Sequence, residues 1–410
     1  MPVENARKLL LAALGAGDGQ VLAERYGAAT SEEWHELLHI AGAHQITALL
    51  YWRLKAAEID IPSEILQSLR MDYLRSTGRN MYIYHELAHI LKCLHRSQIR
   101  VIPLKGAYLA QRIYGRVAFR QMDDVDLLVE KHNLKDTEKI LLNLGFVKTD
   151  FLDVTIEELY HFGYEHVQKH LLIEVHWDLV DRAGGIHTDI DGLWDRSRPA
   201  VIAETPVREM APEDQVLHLC IHSCAHVFDM GLRAMIDFTL TLRFYCEEMN
   251  WAVLFGRARQ WGAYRCLVSN LWLARKLLNA PAPDNCLEST GSSNRDREYF
   301  SLAEQCLLKP EKEPGWPIAT LAQVWKDRSV TGKLIRLWRV IFVSPRIMAT
   351  MYPAPLGSLR IFLYYPVRIK DVLKRHGRMA LGLITGDAQA ISRTERQSRI
   401  NELRKWMLSS

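Results

Sequence analysis

No apolar run in the 410-residue chain approaches the ~20 residues that a membrane-spanning helix requires. The N-terminal segment MPVENARKLLLAALGAG is apolar only briefly and lacks a cleavage site, so no signal peptide is expected. Cys93, Cys220, Cys224, Cys246, Cys266, Cys286 and Cys306 are odd in number, scattered, and include no CxxC pair. That excludes a disulfide framework and fits reduced thiols in a cytoplasmic protein. Charge of one sign is also scarce: a net +4 gives no strong nucleic-acid signal. Internal repeats and low-complexity tracts are missing too. What remains is the composition of a folded protein, 48% apolar and 24% charged, long enough for two or three domains.

Residues 1–95 are expected to be helical. In WHELLHIAGAHQITALLYWRLKAA and MYIYHELAHILKCLHRS, apolar positions recur every three or four residues. Pro62-Ser63-Glu64 marks a helix start. The pattern then changes. IRVIPL is a short β-branched run followed by Lys105-Gly106 and the helix-like AYLAQRIYG. DVDLLV reads as a strand, NLKDTEKILLNLG as a polar helix closed by Gly145, and YEHVQKH and LLIEVHWDLV as further strands. Residues 96–205 therefore read as a small α/β core. Residues 206–283 are helical again, opened by Pro212 with Glu213 and Asp214 in the first turn. Residues 284–315, with SSN and DRE clusters, read as a linker, and 316–410 as a basic helical region broken by Pro345, Pro353, Pro355 and Pro366.

The chemistry concentrates in the α/β core. Asp124 and Asp126 are two residues apart in an apolar strand, so both point to one side, roughly 7 Å apart along the backbone. Like charges so placed repel, and a divalent cation such as Mg²⁺, or Mn²⁺, removes the conflict. Glu174, flanked by Ile173 and Val175, can be a third ligand or a base for an attacking hydroxyl, and His176 alternates onto its face. The strand IRVIPL ends at Lys105-Gly106 just before a helix. There a small residue lets phosphate approach, the helix N-terminus favours an anion, and Lys105 adds a point charge. Arg120 can offset triphosphate charge.

The segments LKGAYLAQRIY, RQMDDVDLLV and LLIEVHW together resemble the bacterial nucleotidyltransferases of the polymerase-beta-like superfamily. The branch most similar is the one labelled uncharacterised nucleotidyltransferase, with APEDQVLHLCIHSCAH and MIDFTLTL extending the likeness over residues 30–290. The resemblance implies an α+β fold, a small mixed sheet with helices embedded between helical domains. It implies that Asp124 and Asp126 bind metal, that Glu174 is the third carboxylate, and that Lys105, Gly106 and Arg120 surround nucleotide phosphates. The implied reaction moves a nucleotidyl group from an NTP to a hydroxyl-type acceptor with loss of pyrophosphate. One departure stands out. Lys105-Gly106 replaces the usual Gly-Ser, so the serine that contacts phosphate is missing.

Plainer readings compete at each position. Asp-x-Asp can be a solvated strand edge, Lys105 an ordinary strand-end lysine, and Arg120 one half of a surface ion pair. His176 beside Trp177 can be a packing residue. His218, His222 and His226 form one helical stripe; two of them can bind zinc, but a packed polar stripe facing the cleft fits better. From that helical region His222 and Asp237 are candidate substrate contacts. The whole module can also be a catalytically inactive nucleotide-binding or protein-interaction domain, or a γ-phosphate phosphotransferase. Between Lys326 and Arg378, twelve basic residues face only Asp327 and Asp371, with apolar and aromatic residues interleaved. Such a stretch, 326–378, suits an anionic membrane surface or an acidic partner, or else a helical subdomain with a solvated basic face.

Overall fold

The computed structural model describes residues 2–15, 19–149, 160–180, 185–283, 294–309, 358–371 and 387–408, with isolated positions between 342 and 353. The chain divides into two compact units: Met1–Thr149 with Glu158–Glu311 and Met407–Ser410, and Asp150–Glu157 with Lys312–Trp406. No helix among the described residues is long and apolar enough to cross a membrane.

The first unit opens with helices α1 (Pro2–Leu14), α2 (Gly19–Gly27), α3 (Ser31–Ala43), α4 (Thr47–Ala56) and α5 (Ser63–Arg96). The start of α3 has a full capping box, Thr30 with Glu33. Helix α5 starts at the expected Pro62-Ser63 and runs for 34 residues. Its inner face carries Ile65, Leu69, Ile83, Leu87, Ile90 and Leu94, spaced in threes and fours, each contributing about 1.5–3 kcal/mol by burial.

Next comes a five-stranded mixed sheet. Strands β1 (Val101–Pro103), β2 (Asp124–Val129), β3 (Val147–Lys148), β4 (His161–His166) and β5 (Leu171–His176) lie in the order β1-β2-β5-β4-β3. Among the described strands only the β2–β5 pair is parallel. Helix α6 (Lys105–Arg112) joins β1 to β2 and packs on β2, and α7 (Leu134–Asn143) follows β2. After α8 (Ile190–Arg196), a hairpin of β6 (Arg198–Ile202) and β7 (Thr205–Glu209) packs against β1. Helices α9 (Pro212–Ala225), α10 (Leu232–Phe244), α11 (Trp251–Gln260) and α12 (Tyr264–Leu278) then pack on one another. The expected α+β core between helical segments is therefore present.

The stretch expected as a linker, 284–315, contains a helix, α13 (Asn294–Leu307). Its polar composition hides a helical stripe of buried Tyr299, Phe300, Ala303 and Leu307. Phe300 stacks on Trp272 of α12, and Lys276 pairs with Glu304 at 2.5 Å.

Buried polar residues fix the connection from α6 into β2. On α5, Ser76 donates to the Ala118 carbonyl at 2.8 Å, Tyr84 to that of Ala107 at 2.8 Å, and Asn80 to those of Val117 and Arg120. Arg120 Nε donates to both carboxylate oxygens of Asp237 on α10, at 2.8 and 3.0 Å, and Tyr114 adds a bond to the same carboxylate at 2.7 Å. The start of α10 is held by Gly231, whose φ of +69° is left-handed and where a Cβ would sit 2.3 Å from His44 Nδ1. That nitrogen accepts the Leu232 N–H, and burial holds His44 neutral, its pKa lowered to about 4.

Removing one partner of a buried pair strands the other charge. Asp237→Ala is expected to lower stability by about 3–5 kcal/mol in urea unfolding, more than an exposed pair such as Arg75–Asp72 would lose.

Candidate active site

The parallel register sets Asp126 of β2 directly opposite Glu174 of β5, so their side chains leave the sheet on one face as neighbours. Asp124 is two residues back on that face, and His176 two residues on from Glu174. Asp126 is the deepest, with a side chain only 3% exposed, whereas Glu174 is 24% exposed and Asp124 half-buried.

The chain reaches this face again through the β1–α6 turn. The Leu104 N–H donates to the Asp126 carbonyl at 2.9 Å, and Lys105 then takes a left-handed φ of +43° as α6 begins. That turn brings Lys105 Nζ to 2.6 Å from Asp126 Oδ1. His176 Nε2 lies 2.9 Å from the same oxygen and 3.4 Å from Glu174 Oε2. Ligand atoms of Asp126, Glu174 and His176 all lie within 4.8 Å of one another. His161 stacks on the His176 ring at 5.0 Å, with Tyr160 against both.

Three carboxylates share one lysine, and Asp124 and Asp126 are shifted in opposite directions. Burial would raise the pKa of Asp126, but Lys105 and His176 hold it well below the usual carboxylate range. Asp124 has less help, from the more distant charge of Lys105 alone. Burial, then the charges of Asp126 and Glu174, push it up to about 6. Burial works against the Lys105 charge, yet Asp126, Glu174 and Asp124 more than offset it. Hard oxygen donors, an imidazole and unneutralised negative charge form a donor set that fits a divalent cation.

The histidine stripe of α9 runs from buried His218 through half-buried His222 to exposed His226. Burial, then the Lys105 charge, lowers His218 to about 3 and His222 well below the usual value. Both are neutral imidazoles close enough to Lys105 and Asp126 to feel their charges.

A family model described as Uncharacterised nucleotidyltransferase matches residues 30–279. The chain belongs to that family. Among solved structures, it is similar to the solution structure of the antibiotic-resistance factor ANT(2'')-Ia, at 21% identity and a TM-score of 0.33, covering 45% of this chain and 93% of that one. The crystal structure of ANT(2'')-Ia in complex with adenylyl-2''-tobramycin gives 20% identity and a TM-score of 0.33, covering 43% and 97%. No curated protein matches the chain.

In this nucleotidyltransferase-family chain, Asp124, Asp126, Glu174, His176 and Lys105 converge on one sheet face. Arg120 and Asp237, each read from sequence as a separate contact, form an ion pair with each other. Gly106 is packed: a Cβ there would meet Met122 Cγ at 2.8 Å, so its missing side chain makes room for Met122. Asp123 points away, accepting from Gln45 at 3.2 Å. Sequence reasoning missed Arg233 on α10. Its side chain is 12% exposed and its ion-pair partner Asp123 lies 3.9 Å off, beyond hydrogen-bond reach. Its guanidinium donates to Gln45 Oε1 and, at 3.4 Å, to the Gln121 carbonyl, while burial, then Arg120, lowers its pKa. The spacing of Arg233 and Asp237, one helical turn apart, was the available signal.

The raised Asp124 pKa has a sign that can be tested. Folded protein keeps this proton up to about pH 6, whereas the unfolded chain releases it near pH 4, so stability falls as pH rises between them. Asp124→Asn should be more stable than wild type by on the order of 1 kcal/mol at about pH 8 in chelator, and equal to it near pH 4. Urea unfolding at the two pH values measures this.

Proposed function

We propose that this chain transfers a nucleotidyl group from an NTP to a hydroxyl-type acceptor, using Mg²⁺ or Mn²⁺ and releasing pyrophosphate. The observation that carries it is the register of β2 against β5, which places Asp126 opposite Glu174 with Asp124 on the same face. Asp124 and Asp126 hold the cation, and Glu174 completes the set. A bound divalent cation there would neutralise triphosphate charge and polarise the α-phosphate. Glu174, 24% exposed against 3% for Asp126, takes the proton as the acceptor oxygen bonds to the α-phosphorus. The bond from that phosphorus to the β-bridging oxygen breaks, and pyrophosphate leaves. Lys105 and the Lys105-Gly106 turn face the phosphates, and Arg233 supplies the positive charge that Arg120, held by Asp237, does not. Neutral His222 faces the acceptor side.

Asp124→Asn with Asp126→Asn should reduce Mg²⁺-dependent pyrophosphate release by at least ~10²-fold, with the fold intact by circular dichroism. Undiminished turnover would remove the proposal. Mass spectrometry of a modified acceptor separates nucleotidyl from γ-phosphoryl transfer. Tight nucleotide binding with no product from any acceptor would favour an inactive binding module.

A second reading concerns the second unit, where residues 360–371 are helical. Ile361, Tyr364 and Tyr365 pack with Met348 and Tyr352. The other face exposes Leu359 at 82%, Leu363 at 73%, Phe362 at 55% and Val367 at 41%, beside exposed Arg360 and Lys370. Twelve basic and two acidic residues in 326–378, within a chain of net +4, leave the remainder net negative. An apolar stripe inside a concentrated basic segment fits the interface of an anionic phospholipid bilayer. Wild type should co-sediment with vesicles containing phosphatidylglycerol at least tenfold better than with phosphatidylcholine alone. Phe362→Glu with Leu363→Glu should abolish that difference. Equal sedimentation of wild type with both vesicles, or binding to RNA but not to vesicles, would overturn it.

A further inference from the structure

Asp126 is the most buried carboxylate of the cluster, and its Oδ1 already has two partners. A carboxylate oxygen offers two lone pairs. Lys105 Nζ at 2.6 Å and His176 Nε2 at 2.9 Å account for both. An ammonium group at that distance would also lie within a few ångströms of any cation bound to the same oxygen, and the two would repel strongly in a site this buried. His176 can stay, because its Nε2 lies between Asp126 and Glu174 and sets their separation. Lys105 cannot.

We infer that Lys105 is a resident counter-cation that keeps the Asp126 oxygen closed until a triphosphate offers it another anion. This rests on the nucleotidyl-transfer reading above. The Lys105 side chain is flexible, 17% exposed, and rooted in a turn whose φ of +43° is unfavourable for a residue with a Cβ. Leaving Asp126 without a replacement anion would break the 2.6 Å contact between Lys105 and Asp126 and leave a buried ammonium and a buried carboxylate each short of a partner. With a triphosphate present, Lys105 exchanges one oxyanion partner for another, and Asp126 is freed. The site therefore takes up a divalent cation together with the nucleotide, and only weakly without it. Lys105 couples two ligands rather than serving one.

The test is Mn²⁺ binding, followed by electron paramagnetic resonance, with and without an α,β-methylene NTP analogue. Wild type should bind Mn²⁺ weakly alone and at least tenfold more tightly with the analogue. Lys105→Met should bind Mn²⁺ at least tenfold more tightly than wild type in the absence of nucleotide, and should lose most of the nucleotide-dependent gain. Lys105→Arg, which keeps the charge, should behave like wild type. A variant that merely damages the fold would bind Mn²⁺ less well, so the direction of change separates the two causes. Lys105→Gln is the second variant should Lys105→Met fail to fold, and the nucleotide dependence of wild type reads the coupling without any substitution. Equal or weaker Mn²⁺ binding by the lysine-free variants overturns the inference while leaving the nucleotidyl-transfer reading in place. Mn²⁺ binding that Asp126→Asn leaves unchanged overturns that reading instead.

Discussion

A carboxylate buried to 3% exposure in an inner strand of a sheet is tolerable only because two nitrogens face it. The Asp126 contact with Lys105 and His176 is the constraint around which the rest of the first unit is arranged. It requires β5 to run parallel to β2, so that His176 stands diagonally across from Asp126. It requires the β1–α6 turn to double back through a left-handed residue, so that Lys105 reaches in. Such a site has little freedom of its own. Burial strengthens each charge interaction here, and it also makes any missing partner costly.

The surroundings supply the rigidity that the site needs. Helix α5 offers Ser76, Asn80 and Tyr84 as buried donors to the backbone on both sides of the α6–β2 connection. The same connection is tied to α10 through Arg120 and Asp237. The polar residues most strongly committed to structure thus stand next to those whose charges are least settled, Asp124 and Arg233. A half-buried carboxylate whose pKa is raised and a half-buried arginine whose pKa is lowered are each destabilising alone. Each is relieved by a ligand of opposite sign, a divalent cation at one and an anion at the other, and a metal–triphosphate carries both.

Much of this was legible in the order of residues. Asp124-Val125-Asp126 in an apolar run, and Glu174 in another, announced a strand-borne carboxylate cluster, because alternation fixes which side chains share a face. His176 was placed on the Glu174 face by the same rule. The pairing that gives those faces meaning is non-local. Nothing within β2 or β5 says that Asp126 sits opposite Glu174 rather than Leu172. Arg120 and Asp237, 117 positions apart, could not be matched from spacing, and each alone resembled a ligand contact. Gly106 read as an opening for phosphate, while its neighbour in space is Met122. Helix α13 was hidden by the polar residues on its solvent side, which outnumber the buried stripe.

The histidines of α9 show how one local charge sets the character of a wider face. Three imidazoles beside three carboxylates would ordinarily gain protons and neutralise the cluster. Here burial and the Lys105 charge together hold His218 and His222 neutral, so they add hydrogen-bonding capacity without adding charge. The negative charge left on Asp124, Asp126 and Glu174 is then available to a divalent cation rather than being cancelled from within. A cluster lined by protonated histidines would repel that cation. Lys105 therefore acts twice, by pairing with Asp126 directly and by adding to the burial that holds His218 and His222 neutral, and both effects follow from a single side chain at the turn where β1 gives way to α6.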